Sequence, residues 1–269
     1  MSFIGKVRST IRSLLREQIS IFNQVDEAGV QLLLTRKRLA AIEVQLALTA
    51  LGRKPRYPVE FRSQFGEDLW IWNTLGGQTD GFFVELGAFD GYNFSVSYAL
   101  EAMGWNGLLI EALPGPYAKC SARRKHSRVE NMAMGRQGAT GTISFVSVED
   151  DEGGMLSYTA TESEHAKRVV NFNKQIIEAK LSYLDELLKD HAGPIDVISI
   201  DVEGAELDVL DGFSLEKFRP RLLLIEDNER GKDPALAKYM ASKPYVFAGW
   251  LAVNRLYIRR DETSLLANL

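Results

Sequence analysis

The chain has 269 residues, of which 45% are apolar and 25% are charged, and its single cysteine is Cys120. This size and composition are typical of a globular protein with one sizeable α/β domain and an appendage. One cysteine excludes an internal disulfide framework. No apolar run approaches the roughly 20 residues that span a bilayer, and the N-terminus lacks the pattern of a signal peptide. We therefore predict a cytoplasmic protein.

The charge is unevenly distributed along the chain. The formal net charge is −4, but residues 1–58 hold ten Lys and Arg against four Asp and Glu, a net of +6, which leaves −10 on residues 59–269. Contacts with phosphate need clustered basic side chains. The acidic body therefore argues against nucleic acid as a substrate, and we expect no nucleic-acid partner.

An apolar repeat of seven runs from Ile4 to about Thr49. One heptad position holds Ile4, Ile11, Gln18, Val25, Leu32, Leu39 and Leu46, and the position three residues later holds Val7, Leu14, Ile21, Ala28, Thr35, Ile42 and Thr49. Such a pattern predicts a coiled coil or a long helical hairpin that breaks near Gly29. We interpret residues 1–51 as a helical arm and residues 52–62, which include two prolines, as a linker.

Three roles for this arm remain open. It could pack on its own catalytic domain, it could form a homodimer through residues 4–49, or it could make peripheral contact with the inner face of a membrane. The membrane alternative rests on the basic residues that stand beside apolar ones in the first turns, such as Lys6 and Arg8 beside Ile4 and Val7.

Residues 63–269 alternate between short apolar runs and helix-like stretches. Strands are predicted at Phe82–Leu86, Leu108–Ile110, Val197–Ile200 and Leu222–Ile225, helices at Val96–Met103 and Ala205–Leu210, and one or two antiparallel edge strands within Tyr245–Ile258. Alternating strands and helices indicate βαβ units. The predicted fold class is therefore α/β, with a doubly wound and mostly parallel sheet.

The segment Phe82–Tyr92 (FFVELGAFDGY) predicts a ligand site. Its strand breaks at Gly87 into a turn of small residues, and Glu85 lies near the strand end, where open α/β sheets bind ligands. The next strand ends in Glu111, and an acid at that place can accept from both hydroxyls of a ribose. The glycine pattern that cradles a pyrophosphate is missing. The pattern therefore favours a cofactor that contains ribose but no phosphate.

Six blocks in this order resemble the FkbM family of methyltransferases over roughly residues 63–260. They are Ser63–Asp68, Val84–Glu101, Gly104–Ala112, Leu181–Leu188, Ile195–Phe213 and Asn254–Glu262. Two positions depart from the usual family pattern: Glu85 replaces an Asp, and Ala112 replaces the Pro that commonly follows the second acid. Both changes keep the charge that a cofactor site needs.

The resemblance implies a class I methyltransferase-like sheet of the seven-stranded type and S-adenosyl-L-methionine as cofactor. It also implies methylation of hydroxyl groups, with a carbohydrate or related polyol as the acceptor. The residues expected to contact the cofactor are Glu85, Gly87, Ala88, Asp90, Glu111, Ala133 and Asp201. Among them, Glu111 is expected to bind the ribose, the backbone around Ala133 the adenine edge, and Asp201 to lie near the reactive methyl group.

Methyl transfer to a hydroxyl needs a base that removes its proton. Asp201 and Glu203 are the expected catalytic residues, with Glu226 or Asp227 as further candidates, whereas Glu206 fits a charge at a helix start. The three histidines show no paired spacing, and no metal site is predicted. The insertion Glu149–Lys174, which includes His165, is expected to cover the acceptor.

Ser63–Asp68 permits two interpretations. Ser63 could cap a helix whose first turns contain Glu67 and Asp68. Alternatively, Gln64 and Glu67 could close over the cofactor.

The sequence also allows two other functions. A dehydrogenase that uses NAD is disfavoured by the missing phosphate-binding glycines and by the absence of a convincing Tyr-x-x-x-Lys pair. A non-catalytic scaffold or membrane-surface partner built on a methyltransferase-like domain is the remaining alternative, and the acids at the expected strand ends argue against it.

Overall fold

A computed structural model describes residues 3–149, 158–159 and 173–267, with side chains described for residues 27–145 and 176–267. The helices are α1 (Phe3–Ala50), α2 (Glu67–Thr74), α3 (Tyr98–Met103), α4 (Pro114–Arg123), α5 (Leu184–Leu187), α6 (Glu206–Asp211), α7 (Leu215–Phe218), α8 (Ala235–Ala241) and α9 (Thr263–Leu266). The strands are β1 (Phe82–Leu86), β2 (Asn106–Ile110), β3 (Arg128–Glu130), β4 (Ala133–Met134), β5 (Thr142–Glu149), β6 (Tyr158–Thr159), β7 (Asn173–Ser182), β8 (Val197–Ile200), β9 (Leu222–Glu226), β10 (Tyr245–Leu251) and β11 (Asn254–Arg259).

The main sheet has seven strands in the order β10-β11-β9-β8-β1-β2-β3. β1 pairs in parallel with β2 and β8, and β8 pairs in parallel with β9. β11 lies between β9 and β10 and is antiparallel to both. The predicted α/β fold with a mostly parallel sheet is thus confirmed, as are the antiparallel edge strands.

Helices cover both faces of this sheet. Phe83 and Val197 point to a core shared with α1, α2 and α3. Their neighbours Val84 and Ile198 point to a second core shared with α5, α6, α7 and α8. Successive side chains of a strand face opposite sides, so strands buried on both faces must be apolar along their length. This requirement explains why short continuous apolar runs were sufficient to locate the central strands.

A second sheet, in the order β4-β7-β5-β6, was not predicted. Its main part is a long antiparallel pairing of β5 and β7, in register from Thr142 with Lys180 to Glu149 with Asn173. These strands mix polar residues with apolar pairs, Phe145–Val146 in β5 and Ile176–Ile177 in β7, which is a weaker signal than a continuous apolar run. Most of the predicted acceptor-covering insertion Glu149–Lys174, with His165, lies outside the described residues.

α1 is a single continuous helix that passes through Gly29. The predicted hairpin is therefore wrong: a glycine costs about 1 kcal/mol in a helix interior but does not have to end it. Ala40, Val44 and Leu48, spaced four residues apart, are buried against the body. At least this part of the arm packs on its own domain. Among the described residues, no helix is both long enough and apolar enough to cross a membrane.

The segment between α1 and the body is held by arginine side chains. Arg53 donates to the Thr79 hydroxyl and Arg56 donates to the carbonyl of Gly104, at 3.2 and 2.9 Å. These charge-assisted hydrogen bonds fix the predicted linker against the turn before β1 and the turn after α3.

Candidate functional site

A cleft opens at the carboxyl ends of β1, β2, β8 and β9. The strand order reverses at β1, which is the place where open α/β sheets bind ligands. The cleft encloses about 1280 Å³ of empty space, including part that is open to solvent.

Most of the predicted site residues line this cleft. Those that do are Glu85, Gly87, Ala88, Glu111, Ala133, Asp201 and Glu203. They come from β1, β2, β4, β8 and the turns that follow these strands. The parallel sheet thus brings together side chains that are separated by more than a hundred residues in the sequence.

Gly87 allows β1 and β8 to end side by side. Its φ is +76°, and a Cβ atom built on it would lie 1.9 Å from the carbonyl oxygen of Asp201. Only glycine tolerates both this backbone conformation and this contact. The residue therefore sets the distance between the β1 turn and Asp201 in the cleft floor.

Glu85 is buried at the end of β1 and is held by the loop that follows the glycine turn. Its carboxylate accepts hydrogen bonds from the Val96 N–H at 2.8 Å and from the Ser95 and Ser97 hydroxyls. The fully buried guanidinium of Arg124 lies 4.0 Å from it and also donates to both serines. Glu85 lines the cleft with its charge already balanced by protein donors.

Glu111 has a similar arrangement at the end of β2. Its two carboxylate oxygens accept from the N–H groups of Phe89 and Leu113, both at 2.8 Å. Burial raises the pKa of Glu111 to about 7, although these two donors favour the ionised form. These two hydrogen bonds therefore hold the Glu111 carboxylate in a fixed orientation at the cleft end of β2.

Asp90 has a different place from the one predicted. It is buried and is not among the residues that line the cleft in the described structure. It accepts from the N–H groups of Tyr92 and Asn93 and pairs with Arg123 at 2.5 Å. Burial opposes its charge, but these donors outweigh it and lower its pKa. Asp90 shapes the turn behind the cleft wall.

An apolar wall completes the β2 side of the cleft. It is formed by Ala88, Phe89, Leu113, Met132, Ala133 and Met134. Asn131 precedes this wall and donates through Nδ2 to the carbonyls of Glu111 and Ala112, at 2.8 and 2.9 Å. A flat aromatic ring could insert between such apolar surfaces.

Three non-glycine residues of the cleft have a left-handed backbone. Phe89, Phe94 and Glu203 have φ values of 48°, 59° and 52°. Each such residue costs of order 1–3 kcal/mol, and strained residues of this kind cluster at ligand sites. The rest of the fold must hold these turns in place.

The opposite side of the cleft carries a cluster of acids. Asp201 follows β8, Glu203 lies two residues further on, and Glu226 ends β9. One carboxylate oxygen from each lies within 4.8 Å of the other two. A cation such as Mg²⁺ prefers carboxylate ligands, and within the described part of the chain these three residues could hold it. The sequence predicted no metal.

The members of this cluster shift one another's titration. Desolvation and the negative charge of Asp201 raise the pKa of Glu226. Desolvation by the surrounding protein and the negative charge of Glu203 raise the pKa of Asp201, although Asp201 is exposed within the cleft. The Asp201 and Glu226 carboxyls are close enough for their titrations to be coupled, so the pair can hold one proton between them. Oε2 of Glu226 is buried and receives no hydrogen bond from the described part of the chain.

The remaining base candidate, Asp227, does not line the cleft in the described structure, and neither do His191 and Glu206. Asp227 pairs with Arg255 at 2.7 Å and accepts a hydrogen bond from the Gly231 N–H, so its charge is neutralised by these structural contacts. His191 packs against Phe82 with its ring tilted by 33°, at the start of β1 and away from the cleft. Glu206 accepts from the Gly204 N–H at 2.9 Å, as a helix-start acid does.

The segment Ser63–Asp68 contains features of both interpretations. α2 begins at Glu67 with Gly66 as its N-cap, so Ser63 is not the cap residue; instead it exchanges hydrogen bonds with Asp68. Gln64, Phe65 and Glu67 line the cleft.

Asn254 and Phe145 are cleft residues that the sequence did not single out. Asn254 donates to Glu67 at 2.8 Å and ties α2 to the start of β11. Asn254 stands in the last of the six sequence blocks, which was the available signal. Phe145, from β5, reaches the cleft only through the unpredicted second sheet.

The family of the chain follows from the sequence of this region. The Methyltransferase FkbM domain matches residues 85–247, which are 163 of the 269 residues and include every strand end of the cleft. The chain belongs to the FkbM methyltransferase family. No curated protein matches it.

Several solved methyltransferase structures are similar to this FkbM methyltransferase. The METTL16 MTase domain is 12% identical with a TM-score of 0.42, and the alignment covers 71% of this chain and 65% of that one, so less than two thirds of that domain is spanned. A candidate RNA methyltransferase from Pyrococcus horikoshii is 10% identical, with 81% and 97% covered and a TM-score of 0.39. The human methyltransferase 10 domain containing protein is 11% identical, with 72% and 80% covered and a TM-score of 0.37.

One prediction about partners is contradicted by these comparisons. The sequence predicts a carbohydrate or polyol acceptor and no nucleic-acid partner, yet a similar structure is that of a candidate RNA methyltransferase. The argument against a nucleic-acid partner rests on the net charge of residues 59–269, which is summed over the whole surface of the body. Phosphate contacts depend on local basic clusters, and the ten Lys and Arg of residues 1–58 were left out of that sum.

Proposed function

We propose that this FkbM methyltransferase uses S-adenosylmethionine and transfers its methyl group to a hydroxyl of the acceptor. The observation that carries the proposal is the Asp201–Glu226 carboxyl pair, which lies in the cleft floor next to the Gly87 turn. A carboxylate whose pKa is raised toward neutrality is a suitable base for removing a hydroxyl proton.

The β1–β2 side of the cleft is suited to the cofactor. Glu111 would accept from the ribose hydroxyls, and the apolar wall around Ala133 would contact the adenine. Glu85, Gly87 and Ala88 would line the methionine part. Asp90 would act indirectly, because it fixes the turn that carries Phe89 and Gly91.

The charge of the cleft favours a cation over a phosphate. Its charged lining residues in the described structure are all acids: Glu67, Glu85, Glu111, Asp201, Glu203 and Glu226. Carboxylates attract a sulfonium and repel a pyrophosphate at the same distance. This supports S-adenosylmethionine over NAD.

The residues of the β8–β9 side would move the proton. S-adenosylmethionine supplies an electrophilic methyl group, and the acceptor oxygen has to approach that carbon in line with the departing sulfur. Asp201 would accept the hydroxyl proton as the oxygen–carbon bond forms. Glu226 would hold the proton shared with Asp201 and so keep the Asp201 pKa within the working range.

Calorimetry with S-adenosylmethionine, S-adenosylhomocysteine and NAD tests the cofactor. We expect both sulfur compounds to bind and NAD not to bind. Labelled methyl transfer to several acceptor classes, RNA included, then tests the reaction, with magnesium and chelator arms for the acid cluster. Binding of NAD alone would overturn the proposal. So would label that is recovered only on nitrogen or sulfur.

A further inference from the structure

The C-terminal half of α1 has two apolar faces. One contains Leu33, Ala40, Ala41, Val44, Ala47 and Leu48, which are buried or half-buried in the core of the body. The other, here called the outer seam, contains Ala28, Leu32, Thr35, Leu39, Ile42, Leu46 and Thr49, all of which are exposed. The large members of the outer seam stay 55–66% exposed: Leu39 55%, Ile42 56%, Leu32 61% and Leu46 66%.

The two faces fall on different positions of one heptad. If Leu32, Leu39 and Leu46 are assigned to position a, then the outer seam occupies a and d throughout. The apolar residues that contact the body then occupy positions b, c and f, on the far side of the helix, and Glu43 at position e accepts a hydrogen bond from Nε1 of Trp72 at 3.2 Å. Packing on the body therefore leaves the described part of the a/d face, from Ala28 to Thr49, open to solvent.

Packing on the body does not account for the outer seam. The a/d repeat extends in the sequence from Thr49 back to Ile4, over six heptads, whereas the described core contacts of α1 begin at Leu33. A repeat sustained over more than three or four heptads is the pattern of a coiled coil. A helix that needed only its own domain would require one apolar face, not two.

We propose that the outer seam binds a second copy of this chain and forms a parallel, two-stranded coiled coil. In a parallel pair, position g of one helix faces position e of the next heptad of its partner. Arg38 stands at g and Glu43 at e, five residues later, so the pair brings these opposite charges together twice by symmetry. Each catalytic body lies on the outward side of its own helix, so the two bodies do not overlap at the seam.

The dimer is tested with the full chain by sedimentation velocity. We expect the particle mass to be twice 30.1 kDa. The double variant Leu39→Glu/Ile42→Glu places like charges in the outer seam and should sediment as a monomer, with a dissociation constant raised at least roughly 100-fold. Both side chains are exposed in the single chain, so thermal unfolding of the variant should show an intact body.

The matched control is Val30→Glu/Leu34→Glu, which makes the same chemical change on the same helix. Val30 and Leu34 are also exposed, by 53% and 41%, but lie outside the a and d positions. The control should remain a dimer. A wild-type monomer would overturn the proposal, as would equal dissociation in both double variants. A monomer that binds anionic vesicles through Leu39 and Ile42 would assign the seam to a membrane instead.

The orientation is tested by oxidising the Leu39→Cys variant. A parallel pair places the two equivalent positions in contact, where a disulfide can form, whereas an antiparallel pair separates them along the helix. The native Cys120 is buried and should not react. We expect a covalent dimer from Leu39→Cys and none from Val30→Cys. Dimers that do not cross-link at residue 39 would contradict the parallel arrangement.

Discussion

The two sides of the cleft hold their carboxylates in different ways. On the β1–β2 side, Glu85 and Glu111 accept hydrogen bonds from hydroxyl and backbone N–H donors. On the β8–β9 side, the carboxylates of Asp201, Glu203 and Glu226 lie within 4.8 Å of one another, so each acid has other acids as neighbours. The first arrangement fixes the position of a negative charge, and the second makes a proton easy to gain or lose.

This difference separates binding from proton transfer. A carboxylate surrounded by donors needs little rearrangement when a ligand hydroxyl replaces solvent. A pair of carboxyls that shares one proton can instead accept a second proton near neutral pH. We therefore expect changes on the β1–β2 side to alter cofactor affinity, and changes on the β8–β9 side to alter turnover.

The largest expected effect comes from Asp201→Asn, which removes the proposed base. Turnover should fall by roughly 100- to 10,000-fold, the usual contribution of general base catalysis. Affinity for S-adenosylmethionine should change far less. Labelled methyl transfer measures the first and calorimetry the second. The control Asp208→Asn makes the same change at an exposed pair with Arg136 and should keep full turnover. An active Asp201→Asn variant would show that another group accepts the proton.

A smaller effect is expected from Glu111→Gln on the other side of the cleft. The amide keeps one acceptor but loses the charge, and a hydrogen bond to a charged group contributes about 1.5–3 kcal/mol. The dissociation constant for S-adenosylmethionine should therefore rise by roughly 10- to 100-fold, with turnover at saturation little changed. The control Glu130→Gln alters the neighbouring strand end, where Glu130 pairs with Arg128 at 2.6 Å. Unchanged affinity in Glu111→Gln would remove this residue from the ribose site.

The sequence predicted the β1–β2 side better than the β8–β9 side. Glu85, Gly87 and Glu111 stand at the ends of apolar runs whose boundaries are visible in the sequence, and a parallel sheet places such ends at one edge. Glu226 was one of several possible bases, because the local sequence does not show whether Glu226 or its neighbour Asp227 faces the cleft. In the structure Asp227 pairs with Arg255, and Glu226 is the residue that lines the cleft.

Long-range packing explains the remaining differences. Arg124 holds the loop around Ser95 and Ser97 from a distant helix, and no local pattern signals a buried arginine. Asp90 stood in the predicted glycine turn, yet its carboxylate points to Arg123 and the backbone of the turn. A sequence shows which strand end carries an acid, whereas the neighbouring elements decide whether that acid reaches the ligand.

The last prediction separates the two sides by pH. Burial raises the pKa of Glu111 to about 7, and ribose hydroxyls donate best to the ionised form, so the affinity for S-adenosylmethionine should weaken as the pH falls below about 7. The pKa of Asp201 is also raised, and the base acts only when ionised. Turnover at saturating cofactor should therefore also decline as the pH falls, by about tenfold per pH unit once Asp201 is protonated.

The variants assign each slope to one residue. Glu111→Gln should remove the pH dependence of cofactor affinity and keep that of turnover. A low-activity Asp201→Asn enzyme should lose the acidic decline of turnover and keep that of affinity. If one variant removed both slopes, the two sides of the cleft would titrate as a single unit, and the division between a binding side and a proton-transfer side would be wrong.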